Sequence, residues 1–147
     1  MSDRSYVTII CAQRDADKLA RDVLGCDGAE GTEFGGWEPG GGYAPGAGTI
    51  SEPEINGGGL TLAEDFTEHC PGIPFILIDG GYGPGGYGGS ISCGYAGRLN
   101  SIAADADENA TVRIELETGA PLAKDLQHAV AFARRYRETL DAIGARV

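Results

Sequence analysis

Residues Ile73–Asp79 read IPFILID, a run that is apolar at odd and even positions alike. Side chains of a strand alternate between the two faces of its sheet, so a strand apolar on both is covered on both. The run therefore predicts a central strand. Immediately before it, Pro71-Gly72 stops whatever precedes, and immediately after it Gly80–Gly89 (GGYGPGGYGG) reads as a long turn. The sequence next to this strand fixes the fold class.

Downstream, Ser90–Tyr95 alternates Ile91, Cys93 and Tyr95 against Ser90 and Ser92, which reads as a strand. Arg98–Ala104 fits either state. Thr111–Glu117 shows the cleanest alternation in the chain, with Val112, Ile114 and Leu116 against Arg113, Glu115 and Glu117, and predicts a strand with one buried face. Pro121 then opens the longest helix, whose stripe Leu122, Leu126, Ala129, Ala133, Tyr136, Leu140 and Ile143 follows 4,3,4,3 spacing.

Upstream, Thr61-x-x-Glu64 has the form of a capping box. It predicts a short helix that buries Leu62, Phe66 and Cys70. Thr32–Glu38 and Thr49–Ile55 suggest short strands joined by a Gly/Pro-rich turn. Ser5–Ala12 (SYVTIICA) is rich in β-branched residues and reads as the first strand. Asp15 is placed to cap a helix carrying Ala16, Leu19, Ala20, Val23 and Leu24, with Gly25 as its C-cap. The order of elements predicts one α+β domain over residues 1–147, with a mainly antiparallel sheet, helices packed on one face and long Gly-rich loops.

The chain has 147 residues, 41% of them apolar, and a formal charge of −11. Glycine supplies 25 residues, more than twice the average share of about 7%. No stretch approaches the roughly 18 apolar residues of a membrane helix. The opening residues lack the apolar core of a secretory signal, so the expected address is cytoplasmic. There the four dispersed cysteines Cys11, Cys26, Cys70 and Cys93 are expected to be reduced.

The charge is unevenly placed. Residues 28–97 hold Glu30, Glu33, Glu38, Glu52, Glu54, Glu64, Asp65, Glu68 and Asp79 and not one Lys or Arg, whereas the flanking segments are nearly neutral. Such a span repels nucleic acid and anionic membranes, whose binding depends on cations, and attracts basic proteins. The aromatics Trp37, Tyr43, Tyr82 and Tyr87 lie in or beside the same span and would supply anchor contacts. The motif Gly-Gly-Tyr-x-Pro-Gly occurs at 41–46 and again at 80–85, two turns of like chemistry.

Sites for chemistry are few. Two overlapping Gly-x-Gly-x-x-Gly runs, from Gly81 and from Gly83, lead into a strand and not into a helix, so the amides that would meet a dinucleotide pyrophosphate are not in place. Nucleophilic catalysis needs a base beside Cys or Ser. His69 and His128 are the only histidines, and a Cys93–His69 pair would have to be assembled by the fold. No close pair of zinc ligands is present. Glu64, Asp65 and Glu68 form an acidic cluster on one helix, and neither a metal nor another cofactor is expected. In size and acidity the chain is similar to small inhibitors and nucleic-acid mimics of phages and plasmids, a resemblance of composition alone.

The resulting expectation is a non-enzymatic module docking on a basic protein surface, without direct contact to nucleic acid or membrane. One alternative is a small enzyme or ligand-binding domain with a pocket under the Gly-rich loops, using Cys93 and His69. The other is an accessory subunit docking, or self-associating, through the C-terminal helix.

Overall fold

The computed structural model describes residues 4–22, 37–39, 46–56, 58–80, 89–105 and 109–146. Among them are β1 (Arg4–Ala12), α1 (Gln13–Asp22), β2 (Trp37–Pro39), β3 (Ala47–Asn56), α2 (Gly58–His69), β4 (Phe75–Asp79), β5 (Gly89–Tyr95), β6 (Arg98–Ala104) and α3 (Ala123–Ala145). The strands form one antiparallel sheet in the order β2-β3-β1-β4-β5-β6. IPFILID supplies β4, an inner strand between β1 and β5, as its two apolar faces demand. Because β3 and β4 both run antiparallel to β1, which lies between them, α2 crosses over β1 to join them.

Register sorts the core into two halves. Val7, Ile9 and Cys11 of β1 join Phe75 and Leu77 of β4 on one face, where Ala16 and Leu19 of α1 and Ala63 and Phe66 of α2 cover them. Ile10 and Ala12 of β1 join Ile76 of β4 on the other face, beneath Phe132 and Ile143 of α3. The α+β class and antiparallel sheet are those read from the sequence. The helices occupy two layers, with α1 and α2 sharing a face and α3 opposite. A second layer is needed because Ile10 and Ile76, both fully buried, would otherwise face water, at about 1.5–3 kcal/mol for each side chain.

Local contacts set the details. Phe66 meets Phe75 edge to face, with ring centroids 5.3 Å apart and planes at 69°. The Phe75 ring lies over Gly94 of the neighbouring strand, where a Cβ would collide with it. The start of α2 is set by the fold: Gly59 N–H donates to the buried Asp79 Oδ2 at 2.8 Å. That carboxylate, at the end of β4, meets the positive end of the helix dipole. The helix accordingly begins at Gly58, and Thr61 lies inside it and not at a capping box. Likewise α1 starts directly after β1, so Asp15 sits in its first turn and not at its cap. The buried Asp15 accepts Nε and Nη2 of Arg146 at 2.5 and 2.6 Å, tying the end of α3 to the start of α1. The Gly25 cap expected for α1 falls outside the described residues.

The expectation for Thr111–Glu117 is corrected. The segment adds no strand to the sheet. It forms a projecting arm with isolated bridges Ala104–Ala110 and Ile114–Pro121, and every residue from 109 to 121 is exposed. The alternation is real, but among the described residues no layer lies against its apolar side.

The β5–β6 hairpin turns at Ala96 and Gly97, with φ +53° and +74°. Two central residues with positive φ define the type I′ turn that suits strand twist, and alanine is strained there. Replacing Ala96 with Asn, which tolerates that conformation, is expected to stabilise the protein by about 0.5–1 kcal/mol in urea unfolding.

Candidate functional site

The outer surface of α2 carries the densest part of the acidic span. Ala63 and Phe66 turn inward, and this leaves Glu64 and Glu68 exposed with Asp65 half-buried beside them. No Lys or Arg occurs on the helix, and none forms an ion pair with these three among the described residues. Donor atoms of Asp65, Glu68 and His69 lie within 4.8 Å of one another. His69, and not Glu64, completes this group with Asp65 and Glu68. On an open helical turn, where water competes for each ligand position, this set suits weak coordination of a divalent cation and offers no enclosed cage.

The other residues singled out in the sequence are dispersed. Glu38 is exposed on β2, at the far edge of the sheet. Its neighbour Trp37 faces the layer of α1 and α2, so Glu38 faces the other side of the sheet, while α1, in the same layer as α2, exposes Arg14, Lys18 and Arg21. Glu52 and Glu54 belong to β3, but their side chains are outside the described set, as are Glu30, Glu33, Tyr43, Tyr82 and Tyr87 entirely. Trp37 is committed internally. It packs against the core, and its Nε1–H donates to the Cys11 carbonyl at 3.1 Å. Asp79 is buried at the start of α2. Among the described side chains the acids therefore divide into a ridge on α2, Glu38 on β2 and the buried Asp79.

The sheet separates Cys93 from His69. Cys93 lies in the core under α3, while His69 is exposed at the end of α2 in the opposite layer. Burial also pushes the Cys93 thiol up, against a smaller downward pull from a hydrogen bond with Thr139. Burial, with the Asp15 charge adding to it, takes Cys11 up to about 12. Neither is an activated nucleophile. The loop pocket proposed from the sequence would involve residues outside the described set.

His128 is exposed, as its place on the helix predicts, and it also supports the fold. A carbonyl can only accept, so the 3.0 Å contact to Ser101 O places the proton on Nε2. Arg135 pairs with Glu138 at 2.9 Å. Arg134 and Arg137 are exposed and meet no carboxylate among the described residues.

A second surface combines the C-terminal helix, which the sequence offered for docking or self-association, with an arm that was not foreseen. Leu126 and Val130 on α3 are 46% and 58% exposed, and Val112, Ile114 and Leu116 on the arm are 38%, 55% and 93% exposed. The arm is held at its base by Arg113. Its Nε and Nη2 donate to Asp125 at 2.8 and 3.0 Å, and its backbone N–H donates to the same carboxylate at 3.0 Å. The sequence signal was present in Ile114 and Leu116, but it was read as a face turned to the core.

The chain matches no family model, no curated protein and no solved structure. Among the described residues no helix is long and apolar enough to cross a membrane.

Two measurements check these assignments. In a Cys26→Ser protein, Ellman's reagent should find the three thiols Cys11, Cys70 and Cys93 unreactive in the native state and fully reactive in guanidinium. The Arg113 hydrogen bonds hold Asp125 down at about 2, from an ordinary 3.8. A lowered carboxylate contributes stability above its ordinary value and loses it as pH falls through the folded one. Carboxyl NMR should therefore place the Asp125 midpoint near 2, returning toward 3.8 in Arg113→Gln, with the arm's amides losing protection over the same interval.

Proposed function

We propose that this chain is a non-enzymatic binding module whose α2 ridge docks on a basic protein surface, of the kind that otherwise holds nucleic acid. One observation carries the reading. Glu64, Asp65 and Glu68 share the outside of a helix that bears no cation, and no described Lys or Arg neutralises them. The arginines of α3 belong to the layer on the other face of the sheet.

The docking surface is narrower than the whole cation-free span. Among the described side chains Glu38 and the α2 acids belong to separate patches, and α2 holds the larger one. An acidic ridge of this type speeds encounter with a basic partner and sets its orientation more than it adds to affinity. It also disfavours direct contact with phosphate. A partner whose basic groove accepts nucleic acid would find carboxylates on α2 in place of phosphates, which is how a mimic or inhibitor competes.

The test is retention of basic proteins on the immobilised chain across a salt series. Binding is expected at low ionic strength and should fade as screening shortens to about 3 Å at 1 M salt. A Glu64→Lys/Glu68→Lys protein, altered only at exposed positions, should keep its circular dichroism and lose at least about tenfold in retention. Equal retention by the reversed protein would defeat the reading.

A further inference from the structure

The arm and the outer flank of α3 are apolar, adjacent and uncovered, and the α2 ridge does not involve them. We infer that they form one self-complementary surface through which two copies of this chain associate, the arm of each lying along α3 of the other.

The arm is a formed structure. Ala104–Ala110 and Ile114–Pro121 bridge its two ends. Leu122 N–H donates to Arg113 O at 2.9 Å, and Glu115 N–H to Ala120 O at 2.8 Å. Gly119, at φ +69°, makes the tight tip, with its N–H on Glu115 O at 2.7 Å. Arg113 clamps the base to Asp125. Held this way, the arm presents Val112, Ile114 and Leu116 to solvent, and Leu116 is 93% exposed. A rigid element that keeps three large aliphatic side chains in water contributes nothing to the core of its own chain.

The receiving surface is on α3. The helix turns Phe132, Thr139 and Ile143 onto the sheet. That face is rotated from the centre of the 4,3,4,3 stripe, so one flank, with Leu126, Val130 and Ala133, is left exposed. Beside it lies a cleft of about 180 Å³ between α3 and the sheet, walled by Ala110, Ala129 and Ala133 and floored by Ile102, Phe132 and Tyr136. Small walls and an apolar floor suit the tip of a branched aliphatic side chain such as Leu116.

Three considerations point to a second copy as the occupant. Knob and cleft are on the same chain, so a twofold axis makes both contacts at once and leaves neither over, as an isologous interface requires. Charges also complement: Glu115 and Glu117 alternate with the arm's apolar residues, and Arg134 and Arg137 flank the exposed side of α3 without a carboxylate partner among the described residues. Finally, five large aliphatic side chains are 38% to 93% exposed on the arm and α3, and exposed apolar surface gathered in this way marks an interaction site.

Sedimentation equilibrium on the full chain decides the matter. The wild type is expected to be a dimer at about 100 μM, and Leu116→Lys and Val130→Glu are each expected to raise the dissociation constant at least about tenfold. Both positions are exposed, so melting of the dilute monomer should be unchanged. A Glu115→Arg/Glu117→Arg protein should dimerise poorly alone and recover when mixed with Arg134→Glu/Arg137→Glu. A wild type that stays monomeric at about 100 μM, or a dimer indifferent to both apolar substitutions, overturns the inference.

Discussion

Everything in this molecule is arranged around a β1–β4 pair that cannot tolerate water on either face. Ile9 and Ile10, consecutive in β1, and Ile76 and Leu77, consecutive in β4, are all fully buried. Consecutive burial in a strand means that both faces are covered. One helical layer satisfies half of that demand, so α3 must return to the sheet after the arm. The crossover of α2 over β1 follows from the same constraint, since β1 needs a lid on the face that α3 does not reach. Polar groups then secure what the apolar groups position. Asp79 fixes where α2 begins, and Asp15 with Arg146 fastens the last turn of α3 to the first turn of α1 across the end of the sheet.

This two-sided cover places two charged surfaces on opposite sides of the sheet. The carboxylates of α2 face outward on one side of the sheet, and the arginine-rich stretch of α3 faces outward on the other. Among the described residues three ion pairs are formed: Arg135 with Glu138, Arg113 with Asp125, and Arg146 with Asp15. None of these pairs draws on the cation-free span. Among the described residues, the exposed carboxylates of α2 are left without a paired Lys or Arg.

Legibility in the sequence followed the physics of each element. The inner strands were plain because burial on both faces leaves a continuous apolar run with no competing explanation. Ser90–Tyr95 was plain for the related reason that one face is apolar and the other holds Ser92, whose hydroxyl pairs with Ser101 at 2.7 Å across the ladder. Thr111–Glu117 misled because alternation reports that one side of an extended segment avoids water, not which molecule covers it. Thr61 misled because a local capping box competes with a carboxylate supplied from β4, and only the fold brings Asp79 near. The α3 stripe gave the existence of the helix correctly but not its rotation, since side chains as small as Ala129 and Ala133 fit a core and a surface equally well. As for the candidate site, α2 and its three acids were legible from composition and spacing. The internal role of Trp37 was not, because its partner, the Cys11 carbonyl, is 26 residues away.

The free edge of the sheet explains why an interacting surface arises on the arm and not on a strand. An edge strand with unpaired carbonyls is a template for adding another chain. On β6 the outward carbonyls of Ser101 and Ala103 are already taken, the first by His128 Nε2–H at 3.0 Å and the second by Thr111 N–H at 3.0 Å. Strand addition at those positions would have to displace both donors. Thr111 closes the edge and, one residue later, the chain leaves the sheet as the arm. The same departure that protects the backbone carries Val112, Ile114 and Leu116 out into solvent. Association at this end of the molecule is therefore left to side chains, whose size and charge can discriminate between partners, and is withheld from backbone pairing, which accepts almost any extended chain.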